Sequence, residues 1–397
     1  MCATAETGIA VVVLPETLFR PDQMEEIFMT PQSSPKISFV LPVYNAAATL
    51  PCALDSMLGQ SMREIEVVAV DDASSDNSRE ILKRLAADDP RLKVIFQEKN
   101  RGTLSARLRA LQEVSGKYVL FLDPDDFFDL NSAAELYALA EKEQVDIIHF
   151  GTKEFARQPD GSRKVRYGWT TPENQFISGK GAVLHDLLTT PGQVWSLCFK
   201  MIRAEICRKA ADDLEDFFCV MGEDLYFYLA AAYHAESLLQ ISRTYYNYDT
   251  TAGITAVRKV SDEKFRRTAS LLDALGKGGE FLRSRKVLDD PAAAVGWKRL
   301  MRGQYLILWN QWYSRLEPGS RGAAAEYLMN RAPDKELLVL SLFDENEYLR
   351  ENGEFLKFAR GIYGIMNRLL PPKSFLRMKM KTWYKRWKLK SAGKEKS

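Results

Sequence analysis

The sequence has few cysteines and no long apolar run, and these shortages exclude several classes of protein. Its 397 residues include five cysteines, with no CxxC pair. Neither a disulfide framework nor a zinc site is therefore expected, and we predict a protein of the reducing cytosol. No apolar run approaches the roughly 20 residues that span a bilayer. The apolar run at residues 9–14 also lacks the basic flank of a signal peptide.

Common phosphate-binding motifs are missing as well. The sequence contains no GxGxxG and no GxxxxGK[ST], so neither a dinucleotide-binding loop nor a P-loop is supported. The formal charge is only +2, and outside residues 371–397 acidic residues outnumber basic ones, 52 to 45. A mildly acidic body of this kind does not favour nucleic acid as a partner.

From residue 37 onward, short apolar runs alternate with helical patterns. The runs are predicted to be strands buried on both faces, because they are almost continuously apolar and rich in β-branched or aromatic residues. They occupy residues 37–44, 65–70, 92–96, 118–122 and 146–150. The helical patterns occupy residues 48–60, 77–87, 103–114 and 131–143. This alternation predicts an α/β fold with an open, mostly parallel sheet flanked by helices.

Polar clusters follow the ends of four predicted strands. They are PVYN (42–45), DDASSD (71–76), NRG (100–102) and DPDD (123–126). In open α/β sheets ligands lie outside the carboxyl ends of the strands, so these clusters are expected to meet at one rim. The carboxylates would repel a phosphate directly, whereas Mg²⁺ or Mn²⁺ would accept their hard oxygens and bridge to it. We therefore expect a metal-dependent phosphate ligand at this rim.

Five motifs in order resemble family 2 glycosyltransferases of the GT-A fold. They are VLPVYNAAATLPCALDSMLGQ, IEVVAVDDASSDNS, NRGTLSARLRAL, GKYVLFLDPDD and GEDLYFYL, and the resemblance covers about residues 36–255. It implies transfer of a sugar from a nucleotide-diphosphate donor, here a UDP-sugar, with inversion and with Mn²⁺ or Mg²⁺. The QxxRW motif of processive members is absent, which favours the addition of one sugar at a time.

The resemblance assigns the first two clusters to the donor's nucleoside. Tyr44 would stack on the base and Asp72 would hydrogen-bond it, with Asp71 assisting and Pro42 in the same site. The alternative is that Asp71 and Asp72 only open a turn, followed by a residue that caps a helix. Capping does not require two carboxylates directly after a buried strand, so we favour the ligand site.

The DPDD cluster is assigned to the metal. Asp125 would be the metal ligand, and Asp123 would contact the donor's ribose or share the metal through water. Asp126 would be an accessory residue that orients the sugar or a metal-bound water. The alternative is a proline-containing turn that caps the helix near Asn131. Three clustered carboxylates repel one another unless they are solvated or metal-bound, which favours the metal.

The remaining charged residues divide between the donor and the acceptor. Arg101 and Arg107 are predicted to contact the donor's phosphates, although Arg107 would also fit the solvated face of an amphipathic helix. An inverting transfer needs a base for the acceptor's hydroxyl proton. We assign this role to Asp224, with Glu223 orienting Asp224 or the acceptor. Both also suit the first turn of a helix, where the macrodipole favours acids.

Two functions other than sugar transfer stay open. A non-catalytic nucleotide-sugar-binding protein would not need the acids of GED. A sugar nucleotidyltransferase would be expected to carry a glycine-rich basic loop where this chain has PVYN.

The predicted organisation has four parts. Helical patterns at 262–275, 297–315 and 322–331 come after the residues that resemble the family. The parts are an N-terminal extension (1–35), a GT-A domain (36–255, with a nucleotide half 36–130 and an acceptor half 131–255), a helical region (256–370) and a basic tail (371–397).

The tail has the pattern of a membrane-surface helix. Residues 371–397 hold ten Lys or Arg and one Glu. Leu376, Met380, Trp383 and Trp387 fall at helical spacing among these cations, as in helices that lie on anionic membranes. A disordered solubilising tail is the alternative and fits residues 391–397 better. We expect a peripheral protein at the cytoplasmic face of the cell membrane, with a glycan or lipid-linked acceptor.

Overall fold

The computed structural model describes residues 34–157, 163–167, 172–252 and 259–342, together with residues 377, 378 and 381. The predicted N-terminal extension and basic tail therefore lie almost wholly outside the described residues, and the domain boundaries stay predictions. None of the described helices is both long enough and apolar enough to cross a bilayer.

The first half of the sheet is parallel, as predicted. Its strands are β1 (Ile37–Val43), β2 (Ile65–Asp71), β3 (Leu92–Phe96) and β4 (Tyr118–Phe121). They lie in the order β3-β2-β1-β4, and each neighbouring pair is parallel. Every residue of β1, β2 and β4 is buried. Burial on both faces explains why these runs are almost continuously apolar.

The helices of this half begin and end within a few residues of the predicted positions. They are α1 (Leu50–Leu58), α2 (Ser78–Asp88), α3 (Thr103–Leu111) and α4 (Ser132–Glu143). Each connects one strand to the next, so the carboxyl ends of β1, β2 and β4 face the same rim.

The second half continues the same sheet with strands of both directions. The strands are β5 (Phe127–Phe128), β6 (Ile147–Arg157), β7 (Arg163–Tyr167), β8 (Gln175–Ser178), β9 (Lys200–Arg203) and β10 (Ser237–Asp249). β6 and β10 are parallel to each other, whereas β9 runs antiparallel to both β4 and β6 and so joins the halves. The helices are α5 (Ala182–Thr189), α6 (Ala204–Asp213) and α7 (Glu223–His234). The predicted α/β fold is confirmed, and its central sheet is flanked by helices.

C-terminal helices follow, as expected. They are α8 (Asp262–Thr268), α9 (Leu271–Ser284), α10 (Pro291–Ser314) and α11 (Arg321–Arg331). The predicted helix 262–275 is in fact two helices, with the break between Thr268 and Leu271. The Asp290 side chain caps α10 by accepting a hydrogen bond from the amide of Ala292 at 3.1 Å, so α10 begins earlier than predicted.

Helix α10 approaches the backbone of α5 closely at one glycine. A Cβ added to Gly296 would lie 1.7 Å from the carbonyl oxygen of Leu188, whereas one added to Gly303 in the same helix would meet nothing within 4 Å. We expect Gly296→Ala to lower the free energy of unfolding by about 1–3 kcal/mol, because the helices must move apart. Gly303→Ala should raise it by about 0.5–1 kcal/mol through helix propensity. Urea unfolding of both variants tests this, and stabilisation by both would contradict the packing.

Candidate functional site

The ends of β1 and β2 form the first part of the site. The amide of Asp72 donates to the carbonyl oxygen of Val43 at 2.8 Å, so Tyr44 and Asp72 are neighbours. Asn45 and Ala73, which directly follow Tyr44 and Asp72 beyond the two strands, have φ values of 50° and 59°. Positive φ at residues other than glycine is strained backbone, which clusters at functional loops.

Tyr44 and Asp72 differ in how open they are to a ligand. Tyr44 is 44% exposed and Asp72 is 3% exposed. The two carboxylate oxygens of Asp72 accept hydrogen bonds from the amides of Arg101 at 2.7 Å and Gly102 at 2.8 Å. Burial raises the pKa of Asp72, and these hydrogen bonds oppose the rise. Asp72 therefore holds the start of α3, a role that neither the ligand site nor the turn alternative included, while base contacts by Tyr44 and Asp72 stay predictions.

Asp71 and Pro42 are both buried at the ends of their strands. Oδ2 of Asp71 accepts a hydrogen bond from Nε of Arg79 at 2.5 Å, which ties β2 to α2. Pro42 is buried in β1 beyond Val40, where pairing with β4 ends. Its missing amide hydrogen therefore breaks no bond of that ladder. The donor contacts predicted for Asp71 and Pro42 stay predictions.

A buried arginine lies at the centre of the carboxylate cluster. Arg107, on α3, is 2% exposed. Its Nη2 donates to Oδ1 of Asp123 at 2.8 Å. Its Nη1 donates to Oε1 of Glu223 at 3.2 Å and to Oδ1 of Asp224. The alternative that placed Arg107 on a solvated helix face is therefore wrong, because its guanidinium is enclosed by acids. Its contact with the donor's phosphates stays a prediction.

The cluster of Arg107, Asp123, Glu223 and Asp224 shifts the ionisation of its own members. Burial and the charge of Asp224 raise the pKa of Glu223 to about 8. Burial opposes the charge on Arg107, but Asp224 and Asp123 together raise its pKa well above the usual value. Glu223 is therefore mostly protonated at neutral pH. Burial raises the pKa of Asp123 as well, and the charge of Arg107 opposes that rise.

Asp224 is held at both oxygens and still reaches solvent. It lies in the first turn of α7, directly after Gly222 (φ 85°) and Glu223. Its Oδ2 accepts from Oγ of Ser196 at 3.1 Å and from the amide of Leu197 at 3.4 Å, while Arg107 holds Oδ1. The side chain is 21% exposed. This is a fixed, partly open carboxylate, the geometry that a general base requires.

Lys200 fixes the loop that reaches Asp224. Its buried Nζ donates to the carbonyl oxygens of Val194 at 2.7 Å and Ser196 at 2.8 Å, and lies 4.3 Å from the ring centre of Tyr228. Burial lowers the pKa of Lys200 to about 7, although the charge of Asp224 opposes this. The lysine therefore acts through the loop by holding Ser196 against the carboxylate.

Asp126 anchors the DPDD turn to β10. It is 1% exposed, and its two oxygens accept from the hydroxyl of Tyr246 at 2.6 Å and the amide of Asp249 at 2.7 Å. Burial, then the charge of Asp125, raises the pKa of Asp126 well above its usual value. The accessory role predicted for Asp126 stays a prediction, and its contacts set the shape of the turn that carries Asp125.

Asp123 and Asp125 are the half-buried carboxylates of this turn. Mg²⁺ and Mn²⁺ are commonly held by one or two carboxylates together with waters and a substrate's phosphates. Within the described ranges, no group of three or more His, Cys, Asp or Glu residues is arranged to hold a metal ion. The two aspartates therefore fit an ion shared with a phosphate ligand better than an ion caged by protein.

Arg101 lies at the rim and outside the cluster of Arg107. Its side chain is 49% exposed and forms an ion pair with Asp216. The hydroxyl of Ser105 donates to the same carboxylate at 3.2 Å. Arg101 is open to an incoming anion, and the phosphate contact predicted for it stays a prediction.

The C-terminal helices pack directly behind the turn that carries the acids. A Cβ on Gly222 would lie 2.3 Å from Cδ1 of Leu271 in α9. The amide of Val220 donates to Oγ of Ser270 at 3.1 Å. The positive φ of residue 222 favours glycine, and a larger residue there would also have to displace the side chain of Leu271.

Sequence reasoning missed two residues that support the site. Ser196 was passed over because an isolated serine carries no motif. Tyr246 lies within YYNYD, where residues 245–247 are all buried. The alternation of buried and exposed residues that marks a strand with one face toward a site is therefore absent around Tyr246.

Comparisons with known proteins converge on one kind of relative. The profile of "Glycosyl transferase family 2" matches residues 38–207. An uncharacterized glycosyltransferase of Haemophilus influenzae is 42% identical over 93 residues, which are 23% of this chain and 37% of that protein. Glycosyltransferase GlyA of Streptococcus pneumoniae is 40% identical over 112 residues, 28% of this chain and 16% of that protein.

A third relative has a fuller description. It is the Escherichia coli UDP-Glc:alpha-D-GlcNAc-diphosphoundecaprenol beta-1,3-glucosyltransferase WfgD, 33% identical over 113 residues, 28% of this chain and 44% of that protein. The chain thus spans between 16% and 44% of the lengths of these three relatives. Among solved structures, S. aureus TarS 1–349 in complex with UDP-GlcNAc has 18% identity and a TM-score of 0.49, covering 80% of this chain and 92% of that one.

Proposed function

We propose, because residues 38–207 match the profile of glycosyl transferase family 2, that this chain moves one sugar from a UDP-sugar to a glycan or lipid-linked acceptor, with inversion. One observation carries the proposal: Arg107 contacts both Asp123, beyond β4, and Asp224, at the start of α7. A single side chain thus brings the proposed donor-side acid and the proposed acceptor-side base to one place.

In the proposed reaction Asp224 is the general base. It takes the proton of the acceptor hydroxyl as that oxygen attacks the anomeric carbon and the bond to the diphosphate breaks. Ser196 and Leu197 keep the carboxylate oriented. Asp123 and Asp125 would hold a divalent cation, which when bound stabilises the negative charge of the departing diphosphate.

Asp125→Asn tests the donor side of this proposal. We expect it to raise the Mn²⁺ concentration needed for half-maximal UDP release by about tenfold or more, because an amide oxygen is a weaker ligand than a carboxylate for a hard cation. Release from UDP-, GDP- and dTDP-sugars across a Mn²⁺ titration measures this effect and identifies the donor. Asp212→Asn, on an exposed residue, is the matched control. If Asp125→Asn depends on Mn²⁺ as the wild type does, Asp125 is not a metal ligand.

The acceptor and the location are proposed on separate grounds. The E. coli relative is named for a UDP-glucose donor and a diphosphoundecaprenol-linked acceptor, which supports a lipid-linked acceptor here. The basic tail, outside the described residues, would hold the enzyme at the cytoplasmic face of the membrane, because clustered cations and tryptophans bind anionic interfaces.

Deleting residues 371–397 tests the tail. We expect the truncated protein to lose most of its sedimentation with anionic vesicles and to keep its activity on a water-soluble acceptor. High salt should release the intact protein only in part, since Trp383 and Trp387 add an apolar contribution that salt does not screen. Equal sedimentation of the two proteins would place the membrane contact elsewhere.

A further inference from the structure

An arginine of the C-terminal helices lies at the rim formed by β1 and β2. The guanidinium carbon of Arg267, in α8, is 5.7 Å from the ring centre of Tyr44 and 4.9 Å from that of Phe218. Tyr44 is 44% exposed and Phe218 is 38% exposed. A planar cation beside two exposed aromatic faces suits the stacking of a planar ligand better than it suits a packed core.

Arg267 is also joined to the polar loop that follows β3. Its Nη2 donates to Oδ1 of Asn100 at 3.0 Å, and Nδ2 of Asn100 donates to the backbone carbonyl oxygen of Asp72 at 3.2 Å. The positive charge of Arg267 favours the ionised form of the Asp72 carboxylate, against the effect of burial. The guanidinium, the carboxylate and the ring of Tyr44 therefore border one small region of the rim.

We propose that Arg267 contacts the base of the donor nucleotide, so that the C-terminal helices complete the donor site. This inference rests on the proposed function, because it takes a nucleoside diphosphate as the ligand. A base stacked on Tyr44 would present its edge to the groups around that ring. A guanidinium has five N–H donors and no acceptor, and Asn100 engages it through Nη2. Arg267 would therefore recognise carbonyl oxygens on the edge of the base.

The combination of Asp72 and Arg267 selects one type of base. A carboxylate has about four acceptor sites, so Asp72 can accept a base N–H in addition to its two backbone amides. Uracil presents an N–H between two carbonyl oxygens, which complements an acceptor next to a donor. Cytosine has an unprotonated ring nitrogen at the same position and an amino group beside it. The site should therefore prefer UDP to CDP.

The test compares the dissociation constants of UDP and CDP by calorimetry for four full-length proteins. These are wild type, Arg267→Ala, Arg267→Lys and the control Arg266→Ala. Loss of Arg267 should weaken UDP binding on the order of tenfold and CDP binding much less, so the preference for UDP falls. Arg267→Lys should lose the preference too, because lysine keeps the charge without the planar fork.

Arg266 is a close control for Arg267. It is the neighbouring arginine of α8, but its Nε donates to Asp262 at 2.7 Å within the same helix, and its guanidinium carbon lies 4.7 Å from the ring centre of Tyr327. Arg266→Ala should therefore leave the UDP preference unchanged.

Two results would overturn the proposal. One is an unchanged UDP preference in Arg267→Ala. The other is an equal loss of UDP and CDP binding together with a lower melting temperature, as expected if Arg267 only fastens α8 to the rim. A wild-type protein that binds no nucleoside diphosphate would instead remove the proposed function, on which this inference depends.

Discussion

Arg107→Ala is expected to lower the free energy of unfolding by about 3–5 kcal/mol, because it leaves buried carboxylates without their counter-ion. Arg107 is 2% exposed and pairs with Asp123, Glu223 and Asp224. Desolvation of the acids persists in the variant, while the attraction that offset it is lost. Transfer activity should fall as well, since Asp224 loses the contact that fixes Oδ1.

The matched control for Arg107 lies two residues away. Arg109, on the same helix, has a side chain that is 38% exposed and pairs with Glu113 four residues later. Such exposed pairs contribute about 0.3–0.5 kcal/mol, so Arg109→Ala should change stability little. Chemical unfolding of both variants gives the comparison. Equal stabilities would show that the acids do not depend on Arg107.

The loss in the free energy of unfolding caused by Arg107→Ala should also depend on pH. The raised pKa of Glu223, about 8 in the folded protein, means that the folded state binds this proton more tightly than the unfolded state does. The associated stability is fully present below the unfolded pKa of Glu223 and is lost as pH rises through about 8. Without Arg107 the repulsion among the acids grows, and protonation at lower pH relieves it. The loss in the free energy of unfolding should therefore be smaller at about pH 5 than at about pH 8. A deficit independent of pH would contradict this coupling.

Asp224→Asn is expected to reduce sugar transfer by about 10²–10⁴-fold while leaving donor affinity unchanged, because a general base acts in the transition state. The amide preserves the size of the side chain but cannot take a proton. Single-turnover transfer and UDP-sugar binding, measured on the same preparation, separate the two effects. A parallel loss of donor binding would make Asp224 part of the donor site.

Two further variants sharpen the assignment of the base. Glu223→Gln should cost less than tenfold in rate, since Glu223, with its pKa raised to about 8, already carries a proton at neutral pH. Glu215→Gln, on a side chain that is 71% exposed, should leave transfer unchanged. A larger loss from Glu223→Gln than from Asp224→Asn would exchange their proposed roles.

The parallel half of the fold could be predicted because its signals are local. β1, β2 and β4 are buried throughout, and continuous burial forces apolar sequences that stand out. β9 is only four residues long, and β10 carries polar residues on an irregular register with β6. Such strands are specified by their partners in the sheet, so the sequence alone did not reveal them.

The environment of Arg107 shows which contacts local sequence patterns cannot predict. Leu104, Arg107, Leu108 and Leu111 share one face of α3, and all four are buried, so helical spacing already placed this arginine on the apolar side. Its partners Glu223 and Asp224 come more than 100 residues later. Long-range contacts of this kind leave no trace in the local pattern. The motif resemblance identified the acids but did not identify the cation that joins them.

The contact between Gly222 and Leu271 has a consequence for how this protein is made. Ribosomes synthesise the N-terminal end first, and domains generally fold as units during synthesis. The turn that carries Glu223 and Asp224 is therefore translated well before the helix that packs behind it at Leu271. Until α9 emerges, the nascent chain has all five motifs described above, and Arg107, Ser196 and Leu197 can already contact Asp224, but the turn that carries Asp224 lacks the packing of Leu271 behind it. Catalytic activity should thus appear late in translation, and products terminated between residues 222 and 271 should be inactive.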